Sequence, residues 1–358
     1  MRKFLLLLIS SLWLSVTYGN TTHYIIDTDM GFDDWLAVIY LLKQPVTIDG
    51  ITIDCQGETR CPEGAYNASR LTHLAKRDVP IALGNSRPLS TYDFPVQLRD
   101  YATAMAVPDF LHLKMDRDIT KNSAAEMILN STIQAEKRHD KVVIISIGTA
   151  TNINDAWKLA VKENKTTLFH QGLGMIYKGG GAFGKVENHH LTNEKIPGNI
   201  AIPHIVTTHN TTAEWNIYAN APAMKTLVDA NLPITFIPDD ATDQVNMTEK
   251  SYDDIYNGSH PGSVRRFTAN AMMSLVTLQG NWKFISTNLD FWDTATTITA
   301  LHPNLVTEKF NHVPMEVILS NGNHYATTWV LQQSTHDVSV DYHLNKDLFY
   351  RLLLAGIS

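Results

Sequence analysis

Cysteine is nearly missing from this chain: only Cys55 and Cys61 occur among 358 residues. Two thiols are too few for a disulfide-stapled scaffold, and no CxxC or histidine pair lies beside them, which argues against a thiolate zinc site. In an exported chain they suit one local disulfide across a short loop. Basic runs are missing as well. With a formal net charge of −7 and no Lys/Arg stripe, the chain has no footprint for nucleic-acid backbones, so the expected partner is small. Apolar runs of membrane-spanning length are missing after the first residues. No Pro/Ser-rich linker, repeat or compositional break divides the sequence, which reads as one large domain over residues 20–358.

What is present begins with a leader. Residues 1–19 combine a basic start, an apolar core shorter than the ~20 residues of a spanning helix, and short side chains at Thr17 and Gly19. This pattern predicts a signal peptide cleaved after Gly19 and a secreted or periplasmic protein. Sequons begin at Asn20, Asn67, Asn130, Asn164, Asn210, Asn246 and Asn257, and matter only in a host that glycosylates.

Beyond the leader, β-rich runs alternate with helical patterns. "HYIIDTD" precedes "DDWLAVIYLLKQ", "VTIDGITIDC" precedes "GAYNASRLTHLAKR", "VVIISIGTA" precedes "TNINDAWKLAVKEN", and "PITFIPDD" follows later. The alternation predicts βαβ units, hence an α/β fold with a mostly parallel central sheet and flanking helices. Near the end, "VPMEVILSNGNHYATTWVLQ" carries an Asn-Gly hairpin signal and "KDLFYRLLLAGI" reads as a closing helix. Residues 177–199, Gly-rich and then polar, predict a long loop over one end of the sheet, either a lid or a surface insertion.

The chemistry concentrates in "YIIDTDMGFDDWLAVIYLL", where Asp27, Asp29, Asp33 and Asp34 fall within eight positions. Clustered carboxylates repel one another, and a hard cation with oxygen ligands resolves the conflict. A turn at Gly31 lets Asp29 and Asp34 grip one ion, while Asp33 and Asp34 sit at a helix N-terminus. The alternative is helix capping by Asp33 with a buried, hydrogen-bonded Asp27. In a parallel sheet, ligands bind beyond the strand carboxyl ends, where Thr149, Thr151, Asn152 and Asp293 also fall.

These stretches together resemble the nucleoside hydrolases, the inosine-uridine preferring N-ribohydrolases. The aspartate stretch matches their N-terminal signature, "IGTATNI" is similar to their Gly-Pro-Leu-Thr-Asn segment, "GNI…TTAEWNIYANAP" to their Gly-Asn…Ala-Glu-Phe-Asn-Ile segment, and "FWDTATTITALHP" to their His-Asp-Pro segment. The resemblance implies a Ca²⁺ held by Asp29, Asp34, Asp293 and the Thr151 carbonyl. It implies that Asp33 contacts the ribose and positions the attacking water, and that Asn199, Glu214 and Asn216 bind ribose, the last two toward its 5′ end. The implied reaction is hydrolysis of ribonucleosides to base and ribose, by a homo-oligomer, dimer or tetramer.

Departures from the pattern shape the expectations. The second strand ends in "IDCQGETRCPEG" instead of Gly-Asn, so Gln56, Glu58 or Arg60 takes that ribose contact. Leu98 stands where a tryptophan is common. Trp292 occupies the place of a base-protonating histidine in pyrimidine-accepting members and of a tryptophan in purine-specific ones, which implies purine preference unless Trp292 is core. Tyr92, Phe94 or an aromatic from 177–199 is expected to close the sandwich. The competing classes are a nucleoside-binding protein without turnover and a haloacid dehalogenase-type phosphatase; Gly31 sits where the latter needs Thr or Val.

Overall fold

The computed structural model describes residues 21–85, 96–110, 119–200, 209–320 and 322–358. The leader, Tyr92 and Phe94 lie outside the described residues. Strands β1 (Thr22–Thr28), β2 (Thr47–Ile53), β3 (Ile81–Leu83), β4 (Lys141–Ser146), β5 (Leu173–Gly179), β8 (Ile234–Ile237), β9 (Val306–Val317), β10 (Thr328–Val330) and β11 (Asp337–Leu344) build one sheet. A small ribbon of β6 (Val186–Glu187) and β7 (His190–Leu191) stands apart. The sheet order is β10-β9-β11-β8-β5-β4-β1-β2-β3, parallel from β3 to β11 and antiparallel across β11-β9 and β9-β10.

Helices cover both faces, which is why β1 carries Ile25 and Ile26 in succession and buries both. The helix Phe32–Lys43 is apolar around most of its circumference and buries Trp35 through Leu42, as a helix does when packed between a sheet and other helices. Each fully buried Leu or Ile there contributes on the order of 1.5–3 kcal/mol. After β3 the chain crosses back to place β4 on the other side of β1. The strand order therefore reverses at β1/β4, where a crevice opens at the carboxyl ends.

Some expectations change. The C-terminal hairpin exists, but Val317 pairs with Thr328 across a ten-residue connection, so Asn-Gly does not form a two-residue turn. Residues 177–179 complete β5, and the following loop is tied to the sheet edge instead of standing free. Asn193 donates to the Val330 carbonyl at 2.8 Å and accepts from its amide at 2.9 Å. Among the sequons, Asn67 and Asn210 are buried: Asn67 Nδ2 donates to the Ala102 and Thr103 carbonyls, and Asn210 Nδ2 to that of Tyr325. Cys55 and Cys61 form a disulfide.

Candidate active site

The site starts from a reversal after β1. The turn is made by Met30, in the left-handed region at φ 59°, whereas Gly31 has φ −59°. Three bonds pin it: the Met30 carbonyl accepts from Trp35 Nε1 at 2.9 Å and Thr59 Oγ1 at 2.7 Å, and the Met30 amide donates to Thr28 Oγ1 at 2.9 Å. Gly31 is needed for space, since a Cβ there would lie 2.6 Å from Glu58 Oε2 and 3.0 Å from Asp34 Oδ2. The expected role of Gly31 in turning the chain thus passes to Met30.

Asp33, Asp34 and Asp293 bring carboxylate oxygens within 4.8 Å of one another. Asp34 Oδ1 accepts from the Thr28 hydroxyl and from the Met30 amide, which orients the carboxylate. Asp29 flanks the trio, its Oδ2 taking the Glu58 amide at 2.7 Å. Thr151 opens the helix Thr151–Lys162 and is not among the residues lining the cavity; its hydroxyl meets Thr149 and accepts from Asn220. Asp27 is structural. It is buried between strands, accepting from Thr52 at 2.6 Å and Asn152 at 2.8 Å, which bears out that half of the alternative reading. The N-cap position of the following helix falls to Gly31, and Asp33 lies inside its first turn, where the amides of Asp33 and Asp34 partly offset the rise of its carboxyl.

Burial raises these carboxyls. It pushes Asp33 up to about 7, and mutual repulsion adds to burial in lifting Asp34 and Asp293 well above the usual carboxylate range. The buried Lys178 of β5 opposes the rise at Asp29 and Asp293, but its ammonium is held by the Gly148 and Gly179 carbonyls. One lysine does not balance this many acids. The donor set, all oxygen and mostly anionic, fits a hard divalent cation such as Ca²⁺.

The cluster forms one side of a cavity of about 730 Å³. Asn199, Glu214 and Asn216 line the same cavity. Glu214 caps the helix Trp215–Ala219, its oxygens accepting amides of Asn216, Ile217 and Gly181 at 2.8–3.0 Å. Asn216 Nδ2 donates to the Ile147 carbonyl, and Asn199 Oδ1 accepts the Trp215 amide. A carboxylate offers about four lone-pair sites, so Glu214 retains capacity for a ligand hydroxyl. Gly180, at φ +114°, lets the backbone pass where a Cβ would lie 2.4 Å from Glu214 Oε2.

Apolar side chains also line the cavity, Phe32, Leu98, Leu275, Phe284, Leu289 and Trp292, together with the polar Thr242, Gln279 and Asn288. Trp292 lines the cavity, packs edge-on against Phe32 with centroids 6.4 Å apart, and donates its indole N–H to Asp243 at 3.0 Å. The aromatics of the 177–199 loop do not line it; Phe183 is buried against Phe236. The aromatic neighbours are Phe32, Phe284 and Trp215 instead. Sequence reading also passed over Asp239, a buried lining carboxylate. Its element shows only as "PDD" after a strand, and nothing local marks it.

A mostly parallel sheet flanked by helices, with an acidic cavity at the carboxyl ends of its strands, defines an α/β protein with a single-domain architecture and a carboxylate cluster able to hold a metal ion. More particularly, the chain belongs to the inosine-uridine preferring nucleoside hydrolase family, whose model matches residues 24–351. Uridine nucleosidase 1 of Arabidopsis thaliana is 27% identical over 64% of this chain and 60% of its own length. The pyrimidine-specific ribonucleoside hydrolase RihA of Shewanella oneidensis is 24% identical over 94% of this chain and 96% of its own. Among solved structures, an inosine-uridine preferring nucleoside hydrolase from Bacillus anthracis superposes with TM-score 0.74 at 18% identity, covering 94% of this chain and 99% of that one. A purine-preferring ribonucleoside hydrolase from Gardnerella vaginalis gives 0.71 at 22%, with coverage of 94% and 98%. These likenesses show the fold. Several curated relatives are matched over less than two thirds of their length, 60% to 64% for three of them and 42% for a fourth.

Proposed function

We propose that the protein is a secreted, calcium-dependent nucleoside hydrolase that cleaves the N-glycosidic bond of ribonucleosides, purine nucleosides above all, to free base and ribose. The observation that carries it is one cavity lined together by a carboxylate trio, by Asn199, Glu214 and Asn216, and by aromatic and aliphatic side chains. A bound Ca²⁺ supplies Lewis acidity that orients the ribose diol and lowers the pKa of the attacking water. Asp33 takes the water's proton; burial places its carboxyl near neutrality, where a general base is effective, and a neighbouring cation draws it down. Glu214 and Asn216 hold the 5′ end, fixing the ring while oxocarbenium character develops. Trp292 and Phe32 present an aromatic surface to the departing base, and an indole face eases protonation of a stacked purine.

Relatives are named for both base classes, so the purine preference rests on Trp292. The leader and the Cys55–Cys61 bridge support export, because disulfides persist in oxidising compartments. The family resemblance supports a dimer or tetramer, which light scattering on the purified protein tests. The central experiment incubates the protein with inosine, guanosine, adenosine, uridine and cytidine, with and without chelator, and follows free base. Chelator-sensitive release, with inosine favoured about tenfold or more over uridine in kcat/KM and the advantage lost in Trp292→Ala, is expected. Chelator-resistant turnover removes the calcium; equal efficiency on both bases removes the purine preference. Bound nucleoside without turnover reduces the protein to a binder.

A further inference from the structure

Trp292 can ease the protonation of a stacked purine but has no proton to supply, its one N–H being held by Asp243 at 3.0 Å. A departing base needs an acid. Among the lining carboxyls, Asp33, Asp34 and Asp293 form the cation cluster, Asp29 and Glu58 adjoin it, and Glu214 takes three backbone amides. Asp239 is differently placed. It lines the same cavity, is 3% exposed, and its Oδ2 has no hydrogen-bond partner among the described residues. A buried polar atom of this kind needs a partner that arrives from outside the protein.

The backbone fixes where Asp239 stands. It opens the short helix Asp239–Thr242 just after β8, and its amide donates to the Gly181 carbonyl at 3.0 Å. The Gly181 amide donates in turn to Glu214 Oε2 at 3.0 Å. One helical turn further on, the Asp243 amide donates to the Asp239 carbonyl at 2.9 Å, and the Asp243 carboxyl is the one that receives the Trp292 indole N–H. Asp239 is therefore linked through one residue to Glu214, assigned above to the ribose 5′ end, and through another to Trp292, assigned to the base. In a purine nucleoside in the anti conformation the edge of the base that overhangs the 5′ carbon is C8–N7. A carboxyl between those two groups meets N7.

The surroundings keep this acid loaded. Burial first, then repulsion from Glu214, Asp243, Asp240 and Asp290, holds the Asp239 carboxyl well above the usual carboxylate range, which favours the form that carries a proton. We infer that Asp239 is the catalytic acid for the leaving group and gives its carboxyl proton to N7 of the departing purine. As the C1′–N9 bond breaks, its electron pair passes to the base, the proton on N7 makes that base neutral, and Asp239 is left as a carboxylate. The water that attacks C1′ leaves its own proton on Asp33. Release of that proton to solvent, and uptake of one by Asp239, restore both groups.

This inference rests on the nucleoside reading, and the test separates the two. Calcium-loaded wild type, Asp239→Asn and Asp239→Ala are compared on inosine and on two ribosides that need no acid. In 7-methylinosine the base already carries the positive charge and departs neutral; in p-nitrophenyl β-D-riboside the leaving group is a stable anion. Single-turnover rates at rising enzyme concentration give the chemical step and the dissociation constant, and thermal unfolding reports the fold. The expected result is that Asp239→Asn slows the chemical step on inosine about 100-fold or more, the range for a lost general acid, while both activated ribosides stay within about threefold of wild type. Asp239→Ala repeats the pattern. The inosine dissociation constant of the nearly isosteric Asn variant holds within about threefold, as for a group that acts only in the transition state. Equal losses on all three ribosides make Asp239 a residue that shapes the cavity and overturn the inference, as does an unchanged inosine rate; the hydrolase survives either result. A wild type that cleaves none of the three overturns both readings.

Discussion

Asp33 and Asp34 are adjacent yet meet different surroundings. Asp34 is buried and held by Thr28 and Met30, whereas Asp33 is partly open to the cavity. The one suits a ligand and the other a base. Asp34→Ala therefore removes a fixed carboxylate from the cation shell, and calorimetry is expected to show calcium affinity lost together with turnover. Asp33→Asn is nearly isosteric, so calcium affinity and melting point hold while kcat falls about 100-fold or more, the range for a lost general base. Retained turnover in Asp33→Asn assigns the proton to another group. Gly180→Ala tests a backbone requirement: at φ +114° with Glu214 in the way, it is expected to cost about 1–3 kcal/mol in urea unfolding. A neutral result there means that the Glu214 cap yields.

At the scale of elements, the loop from Cys55 to Cys61 connects a covalent bridge to the site. Closing so short a ring stabilises by about 2 kcal/mol through the unfolded chain. Cys55→Ser with Cys61→Ser is expected to lower urea stability by that amount and to weaken calcium binding, because the Glu58 amide then holds Asp29 less firmly. Unchanged calcium affinity in the double variant confines the bridge to stability. The same loop shows how far sequence reaches. The acidic turn, β1, β2 and β4 with the helices after them, and β8 were legible because apolar runs end at clustered polar residues. Loop departures left Gln56, Glu58 and Arg60 equivalent, since only burial and tertiary partners distinguish them. Three strands of the sheet escaped notice, besides the β6-β7 ribbon: β3 spans only Ile81–Leu83, the end of β5 was read into the 177–199 loop, and β11 carries Asp341, buried against Lys309, within an otherwise strand-like run. The apolar wall was equally hidden, assembled from Phe32, Leu275 and Phe284 by packing between helices far apart in the chain.

The whole molecule carries an excess of buried acid, and not all of it lies in the carboxylate cluster. Burial pushes Asp240 and Asp290 up to about 7. Their folded-state pKa exceeds the unfolded value near 4, so between these limits the native state binds more protons than the unfolded one. Their contribution is fully present below about pH 4 and is lost as pH rises through about 7, with a slope of at most about 1.4 kcal/mol per pH unit for each. In chelator, urea unfolding is therefore expected to show Asp240→Asn and Asp290→Asn flattening the decline of stability between pH 5 and 7.5. Parallel pH profiles for variants and wild type contradict that assignment.

The two interior sequons bear on where such a chain is made. An oligosaccharide joins asparagine at Nδ2, the atom that Asn67 and Asn210 use to hold neighbouring carbonyls inside the protein. A sugar tree added during translation leaves neither side chain able to return to its place. In a eukaryotic secretory host the transferase and the folding chain compete for these residues, so yield there is set by which arrives first. A bacterial host that lacks the transferase runs no such race.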